Sequence, residues 1–208
     1  MTKRAAELGL VAAAEAYLRE ELKSGALRSQ FFPMLTAFGI RDYADTVRTF
    51  GLNYLTEIGR RILGITAVSD YPVLPQGKYN ARDFREVRLG SVWFEKQNNQ
   101  PFLIAEFERY DDQPGKSGSF RQRIEDLLLG YHQLGDKPKL VLLVFWTYLG
   151  VDITRVEKIT KILDQGFSMP NTALVTGLNE EHTQILIYYC PVAGSTDNLV
   201  MNHWIAVR

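Results

Sequence analysis

Leu140-Val-Leu-Leu-Val-Phe-Trp146 is an apolar run with no polar break. Successive side chains of a strand point to opposite sides, so such a strand must be buried on both faces. A chain that contains it needs apolar layers above and below a single sheet. The neighbouring sequence supplies them. Over residues 41–63, Tyr43, Val47, Phe50, Tyr54, Ile58 and Ile62 recur at helical steps, and Gly64 can close the helix. Ser119 can cap a second helix in which Phe120, Ile124, Leu127, Leu128, Tyr131 and Leu134 form one stripe, ended by Gly135-Asp-Lys-Pro138. Residues 4–24, rich in alanine and leucine and followed by Gly25, read as a helix, as do residues 154–164.

Between the two long helices, Arg85–Phe94 and Phe102–Arg109 read as strands joined by a hairpin turn at Gln97–Gln100. Ser69–Lys78 reads as a loop rich in turn formers. Ala173–Thr176 reads as a short strand, and Ile185–Tyr189 with Leu199–Val207 as a closing antiparallel pair. The expectation is one α/β domain over residues 1–208, with residues 1–36 a candidate N-terminal helical arm.

Charge and cysteine usage narrow the function classes. Lysine plus arginine total 24 and aspartate plus glutamate total 24, so the formal net charge is zero. This is not a polybasic coat for nucleic acid, and any basic surface must be local. The single cysteine, Cys190, excludes an internal disulfide and a cysteine-based zinc cluster. Its apolar surroundings predict a buried, inert thiol. No apolar stretch reaches the roughly 18 residues of a membrane span. Glu7, Glu15, Glu20 and Glu21 are unlike a secretory leader, so a cytoplasmic location is expected.

The chemistry concentrates in Pro101-Phe-Leu-Ile-Ala-Glu-Phe-Glu-Arg-Tyr110. On a regular strand Phe102, Ile104, Glu106 and Glu108 share one face, which begins as core and ends in two acids. Buried carboxylates are costly to ionise alone, so a metal, a cation or water is expected beside them.

The order of helix, strand, turn, strand with Glu-x-Glu, helix and apolar strand resembles the restriction-endonuclease-like PD-(D/E)XK nuclease family over residues 41–147. The resemblance implies a mixed central sheet flanked by helices and a Mg²⁺-dependent nuclease (Mn²⁺ as substitute) acting on DNA or other nucleic acid, with a homodimer as the candidate assembly. The family carries an acid on the first strand of the hairpin and a (D/E)-x-K triplet on the second. Glu106-Phe107-Glu108 falls at the triplet, with glutamate in place of lysine.

Gly90 stands where the first acid is expected, and Glu86, Asp83, Asp70 and the helical Glu57 are the candidate substitutes. Glu106 would then ligate the metal, Glu108 would orient or deprotonate water, and Glu86 or Asp83 would complete the shell. Arg121, Gln122, Arg123 and Lys116 would meet phosphate at the start of the following helix, with Lys96 and Arg109 nearby.

Blander roles stand beside these. The acids can be a solvated strand end paired with Arg109 and Lys96. Glu57 can pair with Arg60 or Arg61 along its helix, and Arg121 and Arg123 with Glu125 and Asp126. His132, His182 and His203 lack the spacing of a helical zinc site and read as satisfied or surface residues. The same fold without catalysis, serving as a binding or assembly module, is the rival to the nuclease.

Overall fold

The computed structural model describes residues 3–74, 79, 85–113, 117–170, 173–179, 181–192 and 195–208. Six helices, α1 (Lys3–Ser24), α2 (Ala26–Phe31), α3 (Ala44–Arg61), α4 (Ser117–Gln133), α5 (Thr154–Thr160) and α6 (Ile162–Gln165), accompany eight strands among these residues. The strands are β1 (Ile65–Val73), β2 (Val87–Glu95), β3 (Pro101–Arg109), β4 (Leu140–Tyr148), β5 (Phe167–Ser168), β6 (Leu174–Val175), β7 (Gln184–Val192) and β8 (Ile205–Ala206). One mixed six-stranded sheet has the order β1-β2-β3-β4-β7-β8, and β5 and β6 form a separate pair. β3, β4 and β7 run parallel, while β1, β2 and β8 join antiparallel.

β4 shows why the sheet has two helical layers. Leu142, Val144 and Trp146 pack with Leu18 and Leu22 of α1 and Val47, Leu55 and Ile58 of α3. Val141, Leu143 and Phe145 pack with Phe120, Ile124 and Leu127 of α4 and Val156 of α5. Every β4 residue from Leu140 to Trp146 is at most 1% exposed, as the uninterrupted apolar run required. Each such side chain contributes roughly 1.5–3 kcal/mol by leaving water. No helix among the described residues is long and apolar enough to cross a membrane.

Four details differ from the sequence reading. First, β1 occupies Ile65–Val73, of which Ser69–Val73 reads as loop in the sequence. The turn formers are tolerated because β1 is an edge strand: its pairing with β2 skips Asp70, which sits at φ +50°, and resumes at Tyr71. Second, Phe102 and Ile104 do not share a face, since Phe102 joins the α3-side core and Ile104 the α4-side core. The β2–β3 register shifts after Trp93–Leu103, and that irregularity breaks the alternation.

Third, β7 pairs parallel with β4 along its whole length, while only Ile205–Ala206 of the C-terminal segment pairs with it on the other side. Leu199 and Met201 are fully buried instead, bonded to Ile40 and Leu35. Fourth, the helix expected over 154–164 is two short ones, α5 and α6.

Candidate functional site

The site forms where the β2–β3 ladder ends. Paired residues run from Phe94–Pro101 to Ser91–Ala105 and stop there. The next residue on β2, Gly90, donates its N–H to the Glu106 Oε2 carboxylate oxygen at 3.1 Å. A side chain thus continues the hydrogen bonding that the backbone abandons. A methyl group on Gly90 would lie 2.3 Å from Leu52 Cδ2 and 2.8 Å from Glu106 Oε1. A side chain there would have to push aside the ends of Leu52 and Glu106, so the position where the first acid is expected is crowded.

Helix α3 lies against this strand end with one stripe of residues. Arg48 reaches Glu106, Leu52 covers Gly90, and Thr56 Oγ1 shares a 2.9 Å hydrogen bond with Ser91 Oγ. Gly59 completes the stripe by letting the helix approach Trp93, whose ring would be 2.5 Å from any Cβ at that position. The helix therefore carries the guanidinium of Arg48 to a fixed place. Its Nη2 donates to Glu106 Oε1 at 2.7 Å, and its Nε lies 3.7 Å from Glu108 Oε2. From the other layer, Arg123 Nε of α4 donates to the same Glu108 oxygen at 3.2 Å.

Burial and charge act in opposite directions on Glu106. Its side chain is 1% exposed, and that desolvation pushes its carboxyl above the ordinary glutamate range, against the pull of Arg48 and Arg123. Asp70, on β1 opposite Gly90, belongs to the same field. Its hydrogen bond from Arg88 holds its carboxyl below the usual range, with Arg48 and Arg123 adding to the effect. Each acid of the cluster (Asp70, Glu106 and Glu108) has an arginine within ion-pair distance. A groove of about 360 Å³ opens beside it, lined by Asp45, Arg48, Thr49, Leu52, Asn53, Ser69 and Asp70.

The structure gathers Asp70, Glu106, Glu108 and Arg123 and leaves the other expected residues apart or outside the described part. Glu86 is exposed and precedes the first residue of β2. Asp83 and Lys116 lie outside the described residues. Arg121 pairs with Glu125 one turn on, and Gln122 donates to Asp126. Glu57 pairs with Arg61. Lys96 is exposed, and its backbone N–H bonds the Gly64 carbonyl.

Arg109 turns away to Asp42 at 2.8 Å, its guanidinium over the rings of Trp146 and Tyr148. Its partner Asp42 also accepts the Tyr148 hydroxyl at 2.6 Å. His132 is buried between Asp136 and the Thr176 carbonyl, stacked on Tyr79. Cys190 is fully buried, and burial pushes its thiol up to about 12.

The residue that the sequence reading passed over is Arg48. It stood next to Val47 on a helix judged by its apolar positions, and the inward position of a charge one turn before Leu52 was the available signal. Its presence decides how a divalent ion would fare. Glu106 and Glu108 have the right donor chemistry, and Mg²⁺ is often held by one or two carboxylates with water and substrate phosphate. Here both carboxylates already face guanidinium groups, and among the described residues no group of three His, Cys, Asp or Glu could hold a metal ion. As arranged, these residues do not fit a divalent ion beside Arg48. No family model, no curated protein and no solved structure matches the chain.

Proposed function

We propose that the chain is a restriction-endonuclease-like domain of the PD-(D/E)XK kind that works without catalysis, as a binding or assembly module. The observation that carries this reading is the Arg48 guanidinium 2.7 Å from Glu106. An arginine neutralises the pair on which hydrolytic chemistry would depend, and Gly90 supplies no acid to complete it, at a position crowded by Leu52 and Glu106. The layout of α3, β2, β3, α4 and β4 supports the scaffold half of the proposal, because it follows the order that the resemblance implies, with β1 added between α3 and β2.

A nucleic-acid backbone is the partner class that the resemblance suggests. Arg88, Arg121 and Arg123 remain 59%, 57% and 36% exposed and can still be seen by phosphate. Their acidic partners make any such attraction modest and salt-sensitive.

A second reading, the Mg²⁺-dependent nuclease, has one observation in its favour. Two carboxylates stand one residue apart at a strand end, next to the groove beneath Asp45 and Asp70. One experiment separates the two. Supercoiled plasmid and single-stranded DNA are incubated with Mg²⁺ or Mn²⁺ and either the natural chain or a Glu106→Ala/Glu108→Ala chain, and binding is followed by anisotropy at rising salt. The module reading expects no metal-dependent nicking by either protein. Nicking by the natural chain that the double variant lacks would overturn it in favour of the nuclease.

A further inference from the structure

Resting on the non-catalytic reading, we infer that Arg48 is a tethered cation that takes the place of a divalent ion between Glu106 and Glu108 and closes the pair to metal. A single positive group bridges two carboxylates on alternate residues of β3, at 2.7 Å from Glu106 Oε1 and 3.7 Å from Glu108 Oε2. Its Nε is buried and has no hydrogen-bond partner, so it faces Glu108 as charge to charge. The need for a cation is set by Glu106 itself. With the side chain 1% exposed, one oxygen takes the Gly90 N–H and the other the Phe107 N–H at 3.2 Å; both donors are neutral, so the charge itself must be met from within the protein.

A helix supplies that charge differently from solution. An ion can leave and must be bound from bulk, whereas a guanidinium held on α3 by the contacts of Leu52 and Thr56 stays at high effective concentration. Arg48 Nη2 already holds the place on Glu106 Oε1 that an ion would take, so Arg48 and a divalent ion exclude each other there. The groove explains where an ion would enter. Asp45, Thr49, Asn53, Ser69 and Asp70 line it with oxygen, and Arg48 is part of its lining. Shortening Arg48 to alanine extends that oxygen-lined groove onto the carboxylates.

The test uses Mn²⁺ alone, with free ion counted by its paramagnetic resonance signal and stability followed by thermal melting. The proteins are the natural chain, Glu106→Gln, Arg48→Ala, Arg48→Lys and Arg48→Ala/Glu106→Gln. The natural chain and Arg48→Lys should ignore Mn²⁺. Arg48→Ala should bind it more than about tenfold tighter than the natural chain and melt higher as Mn²⁺ rises. The double variant should fold and lose that response.

If Arg48→Ala is unfolded without metal, Mn²⁺ should restore its native melt. The inference is overturned if Arg48→Ala, folded or not, is as indifferent to Mn²⁺ as the natural chain. It is equally overturned if the natural chain binds Mn²⁺ in a way that Glu106→Gln abolishes. Plasmid nicking would count against the non-catalytic reading, while Mn²⁺-blindness of Arg48→Ala would count against this inference with that reading intact.

Discussion

Replacing Arg48 by methionine keeps a chain of similar reach in the groove and removes the charge that faces Glu106. Removing one partner of a buried ion pair costs about 3–5 kcal/mol, because the remaining charge is left desolvated. Arg48 is 21% exposed and water has some access to the pair, so the low end applies, about 3 kcal/mol. For a chain of this size that is a fall in Tm of roughly 6–12 °C. The pH dependence follows from the direction of the Glu106 shift. A carboxyl whose folded pKa lies above the ordinary 4.5 is protonated more readily in the folded state. It therefore contributes most below the unfolded value, and that contribution is lost as pH rises through the folded one.

Arg48 opposes the shift, so its removal widens the window. The deficit of Arg48→Met should be greatest near neutrality and narrow toward about pH 4.5. Adding Glu106→Gln should recover most of the loss and remove the pH dependence. Chemical unfolding monitored by tryptophan fluorescence, from about pH 4.5 to 8, completes the double-mutant cycle. A single variant within about 0.5 kcal/mol of the natural chain throughout, or a glutamine that rescues nothing, would refute the argument that this pair organises the site.

Two further outcomes are expected. Gly90→Ala should cost about 1–3 kcal/mol through overpacking against Leu52, and Gly90→Asp distinctly more because it adds a carboxylate beside Glu106; denaturant midpoints falling in any other order would contradict the crowding described at Gly90. Burial, reinforced by Asp42, pushes the Tyr148 hydroxyl up to about 12 from 10.0, so it contributes stability that is present below pH 10.0 and lost as pH rises through about 12. Tyr148→Phe should flatten the stability profile over that interval, and urea melts with parallel slopes for the two proteins would rule the linkage out.

The parts of the fold that could be read from the sequence are those where one physical demand dominates. Leu140–Trp146 needed cover on both faces and found it, and the stripes of α3 and α4 were strong because burial repeats every three or four residues. The hairpin turn at Gln97–Gln100 was readable because local turn chemistry sets it. Strand β1 escaped because Asp70 and Pro72 look like loop residues, and only pairing with β2 makes them strand. The face assignment of Phe102 failed on a register shift that no alternation rule contains.

At the site, Glu106 and Glu108 stood out by following an apolar run. Arg48 did not, since its meaning comes from an acid far along the chain that folding brings to 2.7 Å. The missing acid at Gly90 was visible in the sequence, and the crowding of that position by Leu52 was not.

The outer strand β1 bears on what the open edge of the sheet can pair with. An edge strand offers its free amide and carbonyl groups to any other extended chain. Here the ladder with β2 skips Asp70, held at φ +50°, and two residues later Pro72 has no N–H to offer. An incoming strand would meet a bend and then a silent position, so a continuous row of bonds cannot propagate from this side. The same irregularity that brings Asp70 to the groove also interrupts the open edge of the sheet, joining edge and site through one residue.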